Sequence, residues 1–265
     1  MTIRPTAVAG MFYPADPAQL QATVDQLLAV AQTPPLQQPK ALIVPHAGYV
    51  YSGPTAALAY ATLVPWRATI QRVILLGPTH RVAVRGLALP DCEAFATPLG
   101  EVRLDAAARA LIAQLPQVGV SAAAHAQEHS LEVHLPFLQR ALADFTLLPL
   151  AVGDTTPEAV AEVLERLWGG PETLIVVSSD LSHFLTYATA QKVDRDTCSH
   201  ILDLATDIRP EQACGAFPVN GLLLAAQRHG LCPTLLDLCN SGDTAGDRQR
   251  VVGYAAFAFH ASDHG

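Results

Sequence analysis

The chain has 265 residues, half of them hydrophobic and only 15% charged, which is enough apolar material for a core of α/β size and excludes a disordered polymer. Its formal charge of −8, with sixteen Lys and Arg scattered and no basic stripe, argues against a nucleic-acid backbone as partner. The cysteines Cys92, Cys198, Cys214, Cys232 and Cys239 are odd in number and form no C-x-x-C pair, which excludes a disulfide framework or zinc ribbon and fits a reducing cytoplasm.

The opening "MTIRPTAVAGMFYPADP" has no long apolar stretch, and no later run is long enough to span a bilayer. The expectation is therefore a soluble, unprocessed cytoplasmic protein. Helical periodicity predicts a first helix over 17–32, followed by the Pro-rich linker "AQTPPLQQPK" (31–40). A strand follows at 41–45, a helix at 53–64, a strand at 72–77, then helices at 104–115 and 129–143. Next come a strand at 145–153, a helix at 157–168 with Thr156 as N-cap and Pro157 at its first position, and a strand at 173–178. Helices at 187–206 and 217–229 lead to strands at 234–238 and 251–259. Most of these strands are apolar throughout, as in a sheet covered on both faces. Without repeats or an interdomain linker, residues 1–265 read as a single α/β domain.

Polar residues collect just beyond the strands. His46 follows "ALIVP", His80 follows "VILLGPT", Asp180 and His183 follow "LIVV", and Asp243 lies in "CNSGDTAGD" after "TLLDL". In a parallel sheet the crevice at the carboxyl ends of the strands gathers such groups. Two imidazoles and a carboxylate suit non-haem Fe(II) or a tetrahedral zinc with a bound water, so His46, His80 and Asp243 are the expected ligands. His183, with Asp180 three residues before it, is the expected acid or base. The alternative for each is local hydrogen bonding: Asp180 as a turn cap, Asp243 as an Asx cap. The string H-x-x-E-H over 125–129 matches the inverzincin pattern, but its first histidine precedes the helix; Glu128 and His129 read better as a helix N-terminus beside the crevice. Leu131, Leu135 and Leu138 have core spacing. Walker A, G-x-S-x-G and G-x-G-x-x-G strings are absent from the sequence.

Taken together, "AGMFYPADPAQL", "PHAGYVYSG", "LGPTHRV", "TPLGEVRLD", "EHSLEVHLPFLQ", "VVSSDLSHF" and "GDRQRVVGYAAFAF" resemble the Memo family, described in prokaryotes as protein B of the AmmeMemoRadiSam system. The likeness runs in order from about residue 4 to residue 259. It implies a three-layer αβα sandwich around a largely parallel or mixed sheet, similar to class III extradiol ring-cleavage dioxygenases. It also implies that His46 and His80 are metal ligands, that His183 resembles the dioxygenase base with Asp180 beside it, and that His129 lines the pocket. The family's third ligand lies in the loop before the last strand; here that loop offers Asp243, with Thr244 and Cys239 as alternatives. Tyr49, Tyr51 and Phe184 are placed to line a pocket. The implied function is a non-haem Fe(II) oxidoreductase of dioxygenase type, with Cu, Zn or Mn as other metals. Radical SAM and AMMECR-type proteins are the implied partners. The rival readings are a peptide- or protein-binding module using the same crevice, and a Zn/Mn hydrolase.

Overall fold

The structure is a computed structural model that describes residues 2–33 and 37–262, so part of the linker reading over 31–40 lies outside the described residues. The strands in chain order are β1 (Ile3–Arg4), β2 (Ala41–Val44), β3 (Arg72–Pro78), β4 (Leu87–Leu89), β5 (Ala94–Thr97), β6 (Gly100–Arg103), β7 (Val118–Val120), β8 (Thr146–Val152), β9 (Thr173–Ser178), β10 (His183–Leu185), β11 (Leu231–Asn240) and β12 (Val251–Ala261). The helices are α1 (Pro17–Val30), α2 (Tyr49–Ala61), α3 (Ala106–Ile112), α4 (Ala122–Ala126), α5 (Leu135–Ala141), α6 (Pro157–Leu167), α7 (Tyr187–Leu202) and α8 (Ala216–Arg228).

Nine of these strands form one mixed sheet in the order β10-β12-β2-β9-β3-β8-β4-β7, with β11 also paired to β12. Its centre is parallel: β2 pairs with β9, β9 with β3, and β3 with β8. The edges are antiparallel, through β12 on β2 and β4 on β8. All six strands expected from the sequence are present. The additional ones are mostly two to four residues long and too short to display a period.

Alternation along the central strands divides the core into two layers. Leu42 and Val44, Val73 and Leu75, Leu174 and Val176 face one side with α1, α2 and α5. Ile43, Ile74 and Leu76, Ile175 and Val177 face the other with α3, α6 and α8. Every side chain of β2 and β9 is buried, which is why their sequences carry no polar alternation. Each fully buried Leu, Ile or Val contributes about 1.5–3 kcal/mol, so the sandwich commits the register of β2, β9 and β3 firmly. That register sets the carboxyl ends of three adjacent strands side by side.

Helix α3 is shorter than expected at both ends and α7 stops at Leu202 instead of 206, while α2 and α5 depart most at their starts. Helix α2 begins at Tyr49, not 53, with Pro54 inside it. Buried Tyr49 donates its hydroxyl hydrogen to Val133 O and packs its ring on Phe137, anchoring a first turn ahead of the proline. Helix α5 begins at Leu135, after a 3-10 turn at Glu132–His134. Pro136, without an N–H for Glu132 O, breaks the α ladder between this turn and α5.

Candidate metal centre

His46 stands two residues beyond the end of β2 and His80 two beyond the end of β3; β9 lies between these strands and ends at Ser178. The third side chain comes from the segment leading into α5. Ligand atoms of His46, His80 and His129 all lie within 4.8 Å of one another. The ring centroids are 5.2 Å apart for His46 and His80, 5.4 Å for His46 and His129, and 4.5 Å for His80 and His129.

The surroundings aim the rings. The Ser178 hydroxyl donates to Ser130 O (2.6 Å), so its oxygen accepts from His46 Nδ1–H at 2.6 Å, leaving the lone pair on His46 Nε2. Glu128 Oε1 accepts from His80 Nδ1 at 2.8 Å and Oε2 from the His80 amide at 2.7 Å. The same Oε1 accepts from the amides of His129 and Ser130, both at 3.0 Å, and lies 3.3 Å from His129 Nδ1. One buried carboxylate therefore orients the His80 ring and holds the backbone that carries His129. Ser130 also donates its hydroxyl hydrogen to Pro78 O, pressing the 129–131 turn against the end of β3. Gly77 makes that approach feasible, since a Cβ there would lie 2.7 Å from Ser130 Oγ and 2.9 Å from Leu131 Cδ2.

Burial holds His46 well below the ordinary histidine range, with His80 and His129 adding to the shift, and it takes His129 to about 4. Both rings are neutral at pH 7 and have lone pairs to offer. Burial alone would raise Glu128, but hydrogen bonds from the His80 ring and amide and the Ser130 amide overturn that and bring it to about 2. Asp180 is pushed up to about 7 by burial, against the opposing hydrogen bond from the His46 amide and the His80 charge.

Asp180 does not pair with His183. Its Oδ1 accepts from the His46 amide at 2.8 Å, and Oδ2 lies 3.9 Å from His46 Nε2. His183 Nδ1 is 2.8 Å from Leu181 O, and the ring is lowered by burial, with the His80 charge adding to the shift. Asp243 is not a member of the histidine group. It closes a capping box with Asn240, accepting from its amide at 3.1 Å, and its other oxygen takes the Tyr187 hydroxyl at 2.5 Å. One oxygen makes the local cap of the Asx-cap alternative, and the other is held by a tyrosine 56 positions away. Thr244 donates to Ser241 O, and Cys239 Sγ is 3.2 Å from Thr55 Oγ1. Tyr49 points into the core, whereas Tyr51 and Phe184 are exposed, and Phe184 has a φ of 61°. Of the H-x-x-E-H string, His125 turns away to Ala88 O, while Glu128 and His129 reach the centre.

Two neighbours were not among the expected site residues. Ser178 reads as the last residue of a buried strand. Cys214, whose Sγ lies 3.4 Å from His46 Nε2 and accepts from the Asp180 amide at 3.3 Å, sits 168 positions from His46.

A family model for Memo-like proteins matches residues 4–258. A MEMO1 family protein of Aquifex aeolicus is 37% identical over 273 residues, covering 98% of this chain and all of that protein. The chain belongs to the Memo family. Memo relatives from Methanopyrus kandleri and Sulfolobus acidocaldarius, 35% and 32% identical, each cover 97% of this chain and 98% and 99% of their own length. The crystal structure of an uncharacterized protein from Escherichia coli K12 superposes with a TM-score of 0.54 at 14% identity, covering 84% of this chain and 99% of that one. That likeness concerns the three-layer fold alone. The Memo chain thus carries a three-histidine group that could hold a metal ion, and among its described residues no helix is long and apolar enough to cross a membrane.

Proposed function

We propose that this Memo protein is a metal-dependent oxidoreductase holding non-haem Fe(II) on His46, His80 and His129. The observation that carries the reading is the convergence of three imidazole ligand atoms within 4.8 Å, two of the rings held neutral by burial. The fixed tautomer of His46 and the Glu128 carboxylate, bonded to the His80 ring and the His129 amide, give the ligands the support such a site needs. A bound Fe(II) supplies a redox centre with positions left over for O₂ and a chelating substrate. His183, donating Nδ1–H to Leu181 O, keeps Nε2 free to accept a substrate proton. Asp180, raised to about 7 by burial, stands 3.9 Å from His46 Nε2 as a second group able to exchange a proton.

Anaerobic reconstitution with Fe(II) tests the proposal. Wild type is expected to bind one iron, and His46→Ala, His80→Ala and His129→Ala each to weaken it on the order of 100-fold or more, while Asp243→Ala keeps it. No binding, or affinity indifferent to all three histidine changes, would sink the metal reading. A second reading draws on the donor set: three imidazoles also make catalytic zinc sites with a bound water. It predicts turnover without O₂, which the iron reading forbids.

A further inference from the structure

Strand β8 has a proline, Pro149, in its middle. Along one edge β8 pairs continuously with β3, from Thr146 to Val152. Along the other edge the pairing breaks. At one end Leu147 bridges to Leu104 and accepts from the Asp105 amide, and at the other Ala151 and Val152 pair with Ala88 and Leu87 of β4. Residues two apart in a strand present their backbone groups to the same edge, so Pro149, between Leu147 and Ala151, faces the gap without an N–H to offer. A cavity of about 640 Å³ opens there, floored by Leu89, Pro90, Leu148 and Pro149, all buried. None of the three clustered histidines lines it.

Two arginines, Arg103 and Arg109, and two acids, Glu93 and Asp105, flank this cavity. In a chain that carries −8, the guanidinium groups of Arg103 and Arg109 make no hydrogen bond or ion pair with a described residue. The nearby acids are engaged elsewhere: Asp105 takes Arg72 Nε at 2.7 Å, Thr146 Oγ1 and the Ala108 amide, and Glu93 takes the Thr2 amide. Apolar walls with two guanidinium groups that have no partner among the described residues, in a volume within the usual ligand range of about 300–1,000 Å³, select for one kind of molecule. We propose that the cavity beside Pro149 is a second binding site, separate from the histidine centre, for a small amphipathic anion with a carboxylate on an apolar body.

Octanoate is the probe, with 1-octanol as its neutral counterpart, added to full-length protein stripped of metal so that the histidine centre has no ion for a carboxylate to reach. Cys92 lines the cavity and exposed Cys232 does not, so site-resolved alkylation by N-ethylmaleimide reports occupancy. Octanoate is expected to bind saturably by calorimetry at one per chain and to slow Cys92 alkylation several-fold without changing Cys232. Octanol should bind at least tenfold more weakly, and the Arg103→Ala/Arg109→Ala double variant should lose octanoate by a similar factor with its Tm unchanged. The proposal is overturned if octanoate does not saturate, if octanol binds equally well, if Cys92 in wild type is unprotected, or if the double variant binds like wild type.

Discussion

His125 has 2% of its surface exposed; Nε2–H meets Ala88 O at 2.8 Å, while Nδ1 has no partner among the described residues. Burial lowers it to about 4, with the Arg4 charge acting in the same direction. Unfolded, it titrates near 6.5, so between pH 6.5 and 4 the unfolded chain binds the extra proton. Its contribution is therefore fully present above pH 6.5 and lost as pH falls through 4, a swing of about 3 kcal/mol. Urea unfolding of His125→Phe between pH 7.5 and 4 should show a shallower loss of stability than wild type, by about one proton's slope. Parallel curves would mean that the native ring already takes a proton there. His129, four residues on, is likewise held neutral by burial but faces two other imidazoles. What separates the two is what each nitrogen meets.

At the scale of elements, local chemistry and packing can be told apart. Thr156 Oγ1 accepts from the Ala159 amide at 3.2 Å and Pro157 opens α6, as the "TTPEAVAEVLERL" string indicates by itself. Thr156→Ala should cost about 1 kcal/mol in chemical denaturation and leave metal binding alone, because α6 packs on the face opposite α2 and α5. A larger loss, or weaker metal binding, would show that the cap reaches beyond its helix. In α2 the local signal misleads. Pro54 suggests a start near 53, and inside the helix it loses one backbone bond and crowds the preceding turn, yet Tyr49, buried against Phe137 with its hydroxyl on Val133 O, keeps the first turn helical. Helix α5 does not run back to 129, because Pro136 has no N–H to give Glu132 O and the α ladder is replaced there by the 3-10 turn at Glu132–His134.

Across the whole molecule, the amino-terminal segment is bolted to the stretch that carries His129. Arg4, 6% exposed, donates to His125 O and Glu128 O and pairs with Glu132 Oε2 at 2.5 Å. Glu132, fully buried, also accepts from the amides of Ala7 and Val8 and from the Tyr13 hydroxyl. Arg4→Ala leaves that carboxylate without its cation and should cost about 3–5 kcal/mol. Because the same guanidinium holds the 125–132 backbone, Fe(II) affinity should fall as well, a pairing of effects that Thr156→Ala lacks. Unfolding with unchanged iron affinity would show that the segment keeps its shape without Arg4.

Strand–helix alternation, the six long strands and the placement of His46 and His80 beyond two of them were legible in the sequence, because each rests on local periodicity or on the end of an apolar run. The Memo strings supplied the order of the motifs. The third member of the histidine group was not legible as such. His129 and Asp243 both follow polar, turn-rich stretches, and nothing local says which of them the sheet delivers to His46 and His80. That depends on strand order: β9 inserts between β2 and β3, Ser178 at its end links His46 to Ser130, and Glu128 links His80 to His129. The capping box and the Tyr187 hydroxyl meanwhile commit one oxygen of Asp243 each. Residue type and spacing could nominate ligands, but only contacts between distant segments could choose among them, since a hydrogen bond over 48 residues leaves no trace in either local string.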